Sequence, residues 1–275
     1  MQRSMFAALI LGVALSAPLS AASVDGVGLH SSSVGAGPTI VFVHGWTCDS
    51  SSWAAQVPAF AEKYRVITLD LPGHGESQSP QDAKFSIDLF AGAVEAVRAE
   101  AGADRIVLVG HSMGAPVIRQ YALKHPERVA GLVAVDGPLD LRAFPPPQAG
   151  QGPPPMTGPT GLAAREGMIR SMFIPETPAA LQTQILAMML GTAEATAAGA
   201  MAAMFDPAIR SGGVITAPAL AVYAGTAQMP NVQTMRELLP NLEATQVAGT
   251  GHFLMMEKPD EFNRLLTAFL DRIEF

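Results

Sequence analysis

Apolar residues follow two alternating patterns along this chain. Short continuous runs are typical of strands buried on both faces of a parallel sheet. Such segments predict strands at 39–43, 66–69, 106–109, 132–135, 220–223 and 243–247, with two weak edge strands within 24–38. Apolar residues at helical spacing predict helices at 51–63, 86–100, 114–125, near 231–239, and along a stripe from Phe262 to Ile273. The alternation predicts an α/β fold, a mostly parallel sheet with helices on both faces.

The alternation is interrupted after residue 137. Residues 138–160 contain eight prolines, which prevent a regular core element. Residues 161–206 are rich in Ala and Met and are predicted to be mostly helical. We therefore predict a core formed by 23–137 and 214–275, with 138–213 inserted as a helical lid.

The N-terminus has the pattern of a secretory signal peptide. Arg3 precedes an apolar run from Met5 to Leu15, and Ser20-Ala21-Ala22 resembles a cleavage site. The run is too short for a comfortable membrane span. We predict a signal peptide at 1–22, no stable membrane insertion after its cleavage, and a periplasmic or secreted protein. An uncleaved anchor is the alternative.

Charge and cysteine content narrow the class of partner. The chain of 275 residues has 17 basic and 24 acidic residues, a formal charge of −7. Removal of residues 1–22 takes away one basic and no acidic residue, which leaves −8. This balance argues against nucleic acid and anionic membrane surfaces as partners. Cys48 is the only cysteine in the sequence, so no intrachain disulfide can form.

The apolar run at 106–109 leads directly into Gly110-His111-Ser112-Met113-Gly114, and a helical pattern follows. This is the pattern of a nucleophile elbow, in which a sharp turn between strand and helix exposes a serine hydroxyl. Glycines on both sides of Ser112 permit the close passage of strand and helix. The helix N-terminus offers backbone N–H groups to a developing anion.

Four motifs together resemble the α/β-hydrolase family. In chain order they are His44-Gly45-Trp46, the segment 70–77, the elbow at 110–114, and Gly251-His252-Phe253. The resemblance extends from about residue 26 to 273 and is weakest in the predicted lid. It implies an eight-stranded, mostly parallel sheet, a lid inserted after the sixth strand, and a serine hydrolase.

The resemblance also implies catalytic roles. Ser112 would be the nucleophile, and His252, in a Gly-rich loop after the last strand, would be its general base. The family most often places an acid after the seventh strand, but residues 225–230 contain no carboxylate. Some members place it after the sixth strand, where this chain has Asp136. We therefore expect Asp136 to orient His252, with Asp140, Asp206 or no acid as the alternatives.

The oxyanion hole is expected from the backbone N–H groups of Trp46 and Met113. The Trp46 indole is interpreted as shaping the acyl pocket, with ordinary packing as the alternative. Cys48 is interpreted as a small buried apolar residue. The sequence shows no metal cluster and no phosphate-binding loop, so no cofactor is expected.

The expected function is hydrolysis of a carboxylic ester of a small, mostly apolar molecule through an acyl-enzyme. The same triad could act on a lactone, a β-diketone C–C bond or a peroxy substrate, because fold and triad do not determine the bond. Haloalkane and epoxide chemistry in this family uses Asp at the elbow, so Ser112 argues against both. A catalytically dead binding protein is the non-enzyme alternative, and the sequence leaves the oligomeric state open.

Overall fold

The computed structural model describes residues 17–18, 22–82, 84–143, 156–210 and 212–275. Nearly all of the predicted signal peptide lies outside the described residues. So does the proline-rich part of the predicted lid from 144 to 155.

The described chain contains ten β-segments: β1 (Ala17–Pro18), β2 (Ser23–Val24), β3 (Val27–Gly28), β4 (Ser31–Val34), β5 (Thr39–Val43), β6 (Arg65–Leu69), β7 (Ile106–His111), β8 (Val129–Val135), β9 (Ala219–Ala224) and β10 (Leu242–Val247). The main sheet has the order β1-β4-β6-β5-β7-β8-β9-β10, and β2 and β3 form a separate pair. From β6 to β10 all neighbours in this order are parallel, whereas β4 is antiparallel to both β6 and β1.

The strand count differs from the expectation in one respect. The main sheet has seven strands of four or more residues among the described residues, and the eighth position is held only by the two-residue β1. The predicted weak edge strands correspond to the β2–β3 pair and to β4.

The central strands are buried at every position, as their apolar sequences require. This holds for β5, β7, β8 and β9, which shows that both faces of the sheet are covered. Their registers align Val43 with Gly110, His111 with Val135, and Val135 with Val222. Residues that directly follow these strands therefore meet at one edge of the sheet.

Nine α-helices lie in the described residues: α1 (Gln56–Phe60), α2 (Ile87–Glu100), α3 (Gly114–Lys124), α4 (Gly158–Ser171), α5 (Ala179–Gly191), α6 (Glu194–Phe205), α7 (Val232–Met235), α8 (Leu254–Glu257) and α9 (Pro259–Leu270). Two predicted helices are shorter than expected. The helix at 51–63 is divided into a 3-10 turn, Ser50–Trp53, and α1, because Pro58 is tolerated only near a helix start. The helix near 231–239 is only α7, which ends before Pro240.

Three helices, α4 to α6, lie between β8 and β9, where the sequence predicts an insertion. We call residues 156–210 the insert. Its helices are joined by Arg165, a buried side chain whose Nη2 donates to the carbonyls of Met189 and Thr192 at 2.9 Å each. No described helix is by itself long and apolar enough to cross a membrane. The pair α5 and α6 reaches that length and composition together but is bent by 93°.

Candidate active site

Ser112 lies at the end of β7, in a backbone conformation that non-glycine residues rarely adopt. Its φ is +51°, in the left-handed region. Its N–H donates to the Val135 carbonyl at 2.9 Å, and its carbonyl accepts from the Ala115 N–H at 3.0 Å. These two bonds fix the turn between β7 and α3, and the Ser112 side chain faces a cavity.

Three glycines make this turn sterically feasible. A Cβ at Gly110 would lie 2.4 Å from the Gly114 carbonyl oxygen, and one at Gly114 would lie 2.5 Å from the Val43 oxygen. A Cβ at Gly137 would lie 2.5 Å from the Ser112 oxygen. No real Cβ contacts are this short, so each position needs glycine for close backbone approach.

Asp136 follows β8 and contacts His252 directly. His252 Nδ1 lies 2.6 Å from Asp136 Oδ2, and Asp136 Oδ1 accepts from the Ala224 N–H at 2.9 Å. Burial would raise the pKa of the Asp136 carboxyl, but the hydrogen bond and charge of His252, with the Ala224 bond, hold it below its usual value. The carboxylate is thus ionised at neutral pH and fixed by two different donors.

Ser112 and His252 line the same cavity. Among the described residues, the Ser112 hydroxyl makes no hydrogen bond to the His252 ring. Contacts of this kind are often long in enzymes without substrate and tighten in the complex.

The loop after β5 approaches the elbow closely. A Cβ at Gly45 would lie 3.2 Å from Ser112 Cβ. His44 fixes this loop, because its Nδ1–H donates to the Gly45 carbonyl at 2.8 Å and its Nε2 accepts from the Leu71 N–H at 2.9 Å. Burial lowers the pKa of His44, which favours this neutral tautomer.

Within the part of the chain that the structure describes, the backbone amides of Trp46 and Met113 have no acceptor. Trp46 and Met113 are buried, at 3% and 1% exposure, and neither backbone N–H donates to any described residue. Buried backbone donors are almost always paired in folded proteins. An unsatisfied pair flanking one serine therefore fits a site that binds an anion.

The Trp46 indole occupies a different place from the one interpreted from the sequence. It does not line the cavity; its Nε1–H donates to the Ala197 carbonyl of α6 at 2.8 Å. The alternative interpretation, that the Trp46 side chain is packed in the protein, describes the indole better. The indole also bonds to the insert. Cys48 is buried, as expected, and burial raises the pKa of its thiol.

The cavity at Ser112 has a volume of about 270 Å³. Its apolar lining includes the following side chains: Met113, Pro116, Leu141, Met201, Met204 and Phe205. The last three belong to the insert, which thus covers one side of the cavity. The described polar residues of this lining include Asp136, His252 and Arg210.

Comparison with known proteins shows which fold and which enzymes these features resemble. Residues 38–158 match the model of the α/β-hydrolase fold. The chain is 40% identical over 101 residues to pimeloyl-(acyl-carrier protein) methyl ester esterase from Aeromonas hydrophila subsp. hydrophila, which covers 37% of this chain and 38% of the relative. It is 38% identical over 105 residues to epoxide hydrolase B from Mycobacterium tuberculosis, which covers 38% of this chain and 30% of the relative. The matched segment thus spans 30–38% of the length of these curated relatives.

The structural likeness covers nearly the whole chain. The solved structure of Est816, described as an N-acyl homoserine lactone degrading enzyme, has a TM-score of 0.76 and 28% identity, and covers 90% of this chain and 99% of that one. The chain therefore has the α/β-hydrolase fold. Its relatives include esterases, epoxide hydrolases and a lactone-degrading enzyme, which supports a hydrolase function.

In this α/β-hydrolase the alternative acids lie elsewhere. Asp140 is buried and paired with Arg142 at 2.8 Å, and Asp206 accepts from the Ala208 N–H at 2.9 Å. Neither carboxylate contacts His252. Within the described ranges, no group of three His, Cys, Asp or Glu residues could hold a metal ion.

Sequence reasoning missed the residues that hold the loop of His252. His111 Nε2–H donates to the His252 carbonyl at 2.9 Å, and the His252 N–H donates to the Met172 carbonyl of the insert at 3.0 Å. Burial, with the neighbouring His252, lowers the pKa of His111 to about 3, so this donor is a neutral imidazole. Glu257 accepts from the Gly251 N–H at 2.6 Å. Of these residues, only His111 could be recognised from the sequence, because it is a polar residue within the predicted buried elbow.

Proposed function

We propose that this α/β-hydrolase is a serine hydrolase that cleaves carboxylic esters through an acyl-enzyme. One observation carries the proposal. Ser112, in a strained elbow, lines the same cavity as His252, whose other ring nitrogen lies 2.6 Å from the Asp136 carboxylate. The site thus offers a serine as nucleophile, a histidine as base, and a carboxylate that orients the histidine, which are the three groups that serine hydrolysis needs.

In the proposed mechanism, Ser112 Oγ attacks the ester carbonyl carbon as its proton moves to His252 Nε2. Asp136 holds the imidazole tautomer and stabilises the imidazolium. The carbonyl oxygen becomes an oxyanion, which accepts hydrogen bonds from the backbone N–H groups of Trp46 and Met113. Collapse breaks the bond to the alkoxy oxygen, which leaves as the alcohol with the proton from His252. Water, deprotonated by His252, then attacks the acyl carbon. The bond from this carbon to Ser112 Oγ breaks, Oγ takes back the proton from His252, and the acid is released.

The cavity supports a small and mostly apolar substrate. Its volume of about 270 Å³ lies just below the range of roughly 300–1,000 Å³ typical of drug-sized ligands. Met201 and Met204 of the insert line it, and methionine adapts to irregular apolar shapes. We therefore propose that the insert acts as the lid of the site, and that esters with short chains fit best.

A lactone is the second candidate substrate. The same steps open a cyclic ester, and the likeness to Est816 favours this possibility specifically. Epoxide hydrolysis is less favoured despite the likeness to epoxide hydrolase B, because the elbow carries serine and not aspartate. Rates with p-nitrophenyl esters of increasing chain length, compared with N-acyl homoserine lactones, would rank the two classes.

Substitution of Ser112 tests the proposal. Ser112→Ala should abolish ester turnover and fluorophosphonate labelling with little change in melting temperature, because the elbow geometry depends on glycines. Residual turnover near that of the wild type would remove the serine mechanism. Absence of turnover and of labelling in the wild type would instead support the binding-protein alternative.

We also propose that residues 1–22 are a signal peptide and that the mature protein is periplasmic or secreted. Its excess of acidic over basic residues argues against nucleic acid as a partner. Mass analysis of exported protein should give a first residue near Ser23. Full-length protein retained in the membrane would contradict the cleavage.

A further inference from the structure

The loop that carries His252 is held by a carboxylate outside the triad. Glu257, the last residue of α8, accepts from the Gly251 N–H with Oε2 at 2.6 Å. Its other oxygen, Oε1, accepts from the Thr177 hydroxyl of the insert at 3.3 Å. Glu257 therefore joins the residue directly before the base to the segment that follows α4.

The same short segment of the insert binds the base loop a second time. The Met172 carbonyl accepts from the His252 N–H at 3.0 Å. A Cβ at Gly251 would lie 2.6 Å from the Met172 oxygen and 3.0 Å from Glu257 Oε1. Gly251 is thus enclosed between the insert and Glu257, and no other residue fits without displacement.

The Gly251–Glu257 bond matters because glycine does not hold a loop by itself. Gly251 is buried beside Glu257, so removal of the carboxylate takes away the acceptor that the Gly251 N–H uses in this structure. Glycine has more conformational freedom than any other residue, and the loop would relax to satisfy this donor. A displacement of about 1 Å at a catalytic group can lower a rate by roughly a hundredfold.

We propose that Glu257 is a positioning residue that sets the place of His252 relative to Ser112 and Asp136. This inference rests on the proposed function. Glu257 does not contact the reacting atoms; it acts through the Gly251 N–H. The alternative is a purely structural role at the end of α8, which would change stability but not the turnover of folded enzyme.

Three variants of the full chain test the proposal. Glu257→Ala removes the acceptor, Glu257→Gln keeps an acceptor oxygen without the charge, and Asp260→Ala removes a nearby exposed carboxylate as the matched control. Turnover is measured with p-nitrophenyl butyrate as substrate. The fraction of folded enzyme in each preparation is determined by circular dichroism. A second measurement, independent of turnover, is the low-field proton resonance of the His252 Nδ1–H bonded to Asp136.

For Glu257→Ala we expect kcat to fall about 10- to 100-fold with KM changed less than about twofold, because the base and not the binding cavity is displaced. The low-field resonance should shift or broaden. Glu257→Gln should recover kcat to within about threefold of the wild type, and Asp260→Ala should match the wild type in both measurements.

The proposal is overturned if folded Glu257→Ala keeps wild-type kcat and resonance, or if Glu257→Gln is as impaired as Glu257→Ala. A failure of the proposed function is distinguishable, because hydrolysis would then either persist in Ser112→Ala or be absent from the wild type. In that case the resonance of His252 in the Glu257 variants still decides whether Glu257 positions the ring.

Discussion

Replacement of Asp136 by asparagine is the most informative perturbation of this site, because the structure dictates how the new side chain must lie. Asp136 Oδ1 accepts from the Ala224 N–H at 2.9 Å, and Oδ2 faces His252 Nδ1 at 2.6 Å. An asparagine at this position can accept from the Ala224 N–H only if its side-chain oxygen points towards Ala224. Its NH₂ group then points at Nδ1 and donates to it.

That donation imposes the wrong tautomer on the base. Nδ1 becomes an acceptor, the ring proton moves to Nε2, and Nε2 can no longer take a proton from Ser112. In the template triad the equivalent change lowers kcat about 10⁴-fold, which corresponds to roughly 5 kcal/mol of transition-state stabilisation. We expect a loss of this order, with little change in stability because the bond to Ala224 and a bond to His252 both persist.

The assay compares kcat for p-nitrophenyl butyrate and the rate of fluorophosphonate labelling, both of which need the same base. Asp206→Asn is the matched control, since Asp206 is exposed and caps a turn of the insert, where asparagine caps equally well. A kcat for Asp136→Asn within tenfold of the wild type would show that Asp136 does not orient the base. The elbow and the oxyanion loop would then have to account for the activity alone.

Two further expectations concern stability. Burial lowers the pKa of His74 to about 3, so the unfolded chain binds one more proton than the folded chain between about pH 3 and 6.5. Stability is therefore lost as pH falls through that window. His74→Gln should reduce the pH dependence of the unfolding free energy near pH 5 by about 1.4 kcal/mol per pH unit, measured by urea unfolding, and an unchanged slope would show that His74 is protonated in the fold. Gly110→Ala should destabilise the fold and abolish turnover, because its Cβ would lie 2.4 Å from the Gly114 oxygen. Gly167→Ala, in open space on α4, should instead raise the melting temperature slightly, and equal effects at the two positions would contradict the steric argument.

The sheet could be predicted well from the sequence because its strands are buried on both faces. Continuous apolar runs mark β5, β7 and β8, and the first residue after such a run lies at the edge where sites form in parallel sheets. Asp136 is the first residue after such a run, whereas Ser112 was identified from the elbow motif that follows the run at 106–109, and the family resemblance implied the role of each. The helix predicted at 51–63 was only partly correct. Pro58 is tolerated only near the start of a helix, so α1 begins shortly before it and a separate 3-10 turn, Ser50–Trp53, precedes α1.

The contacts that surround His252 could not be predicted in the same way. The carbonyl of Met172 and the N–H of Gly251 are backbone atoms, and every residue type provides them. Glu257 is separated from its partner Thr177 by 80 positions, and nothing in the local pattern distinguishes it from an exposed glutamate of a helix end. Such contacts depend on how the insert lies over the sheet, which is a property of the tertiary structure.

Two of the three proposed catalytic residues share a backbone feature that explains how precisely they are placed. Ser112 and Asp136 both have left-handed backbones, with φ of +51° and +44°, and such conformations persist in non-glycine residues only where the surroundings enforce them. Here the sheet enforces them. The Ser112 N–H donates to the Val135 carbonyl at the end of β8, and the Asp136 N–H donates to the Val222 carbonyl of β9 at 2.8 Å. Each strand thus fixes the turn of the strand before it. The positions of Ser112 and Asp136 are thus set by the core, whereas His252 lies in a glycine-containing loop that bonds to the insert and to Glu257. Variation in the insert is therefore expected to alter His252 and the cavity while leaving Ser112 and Asp136 in place.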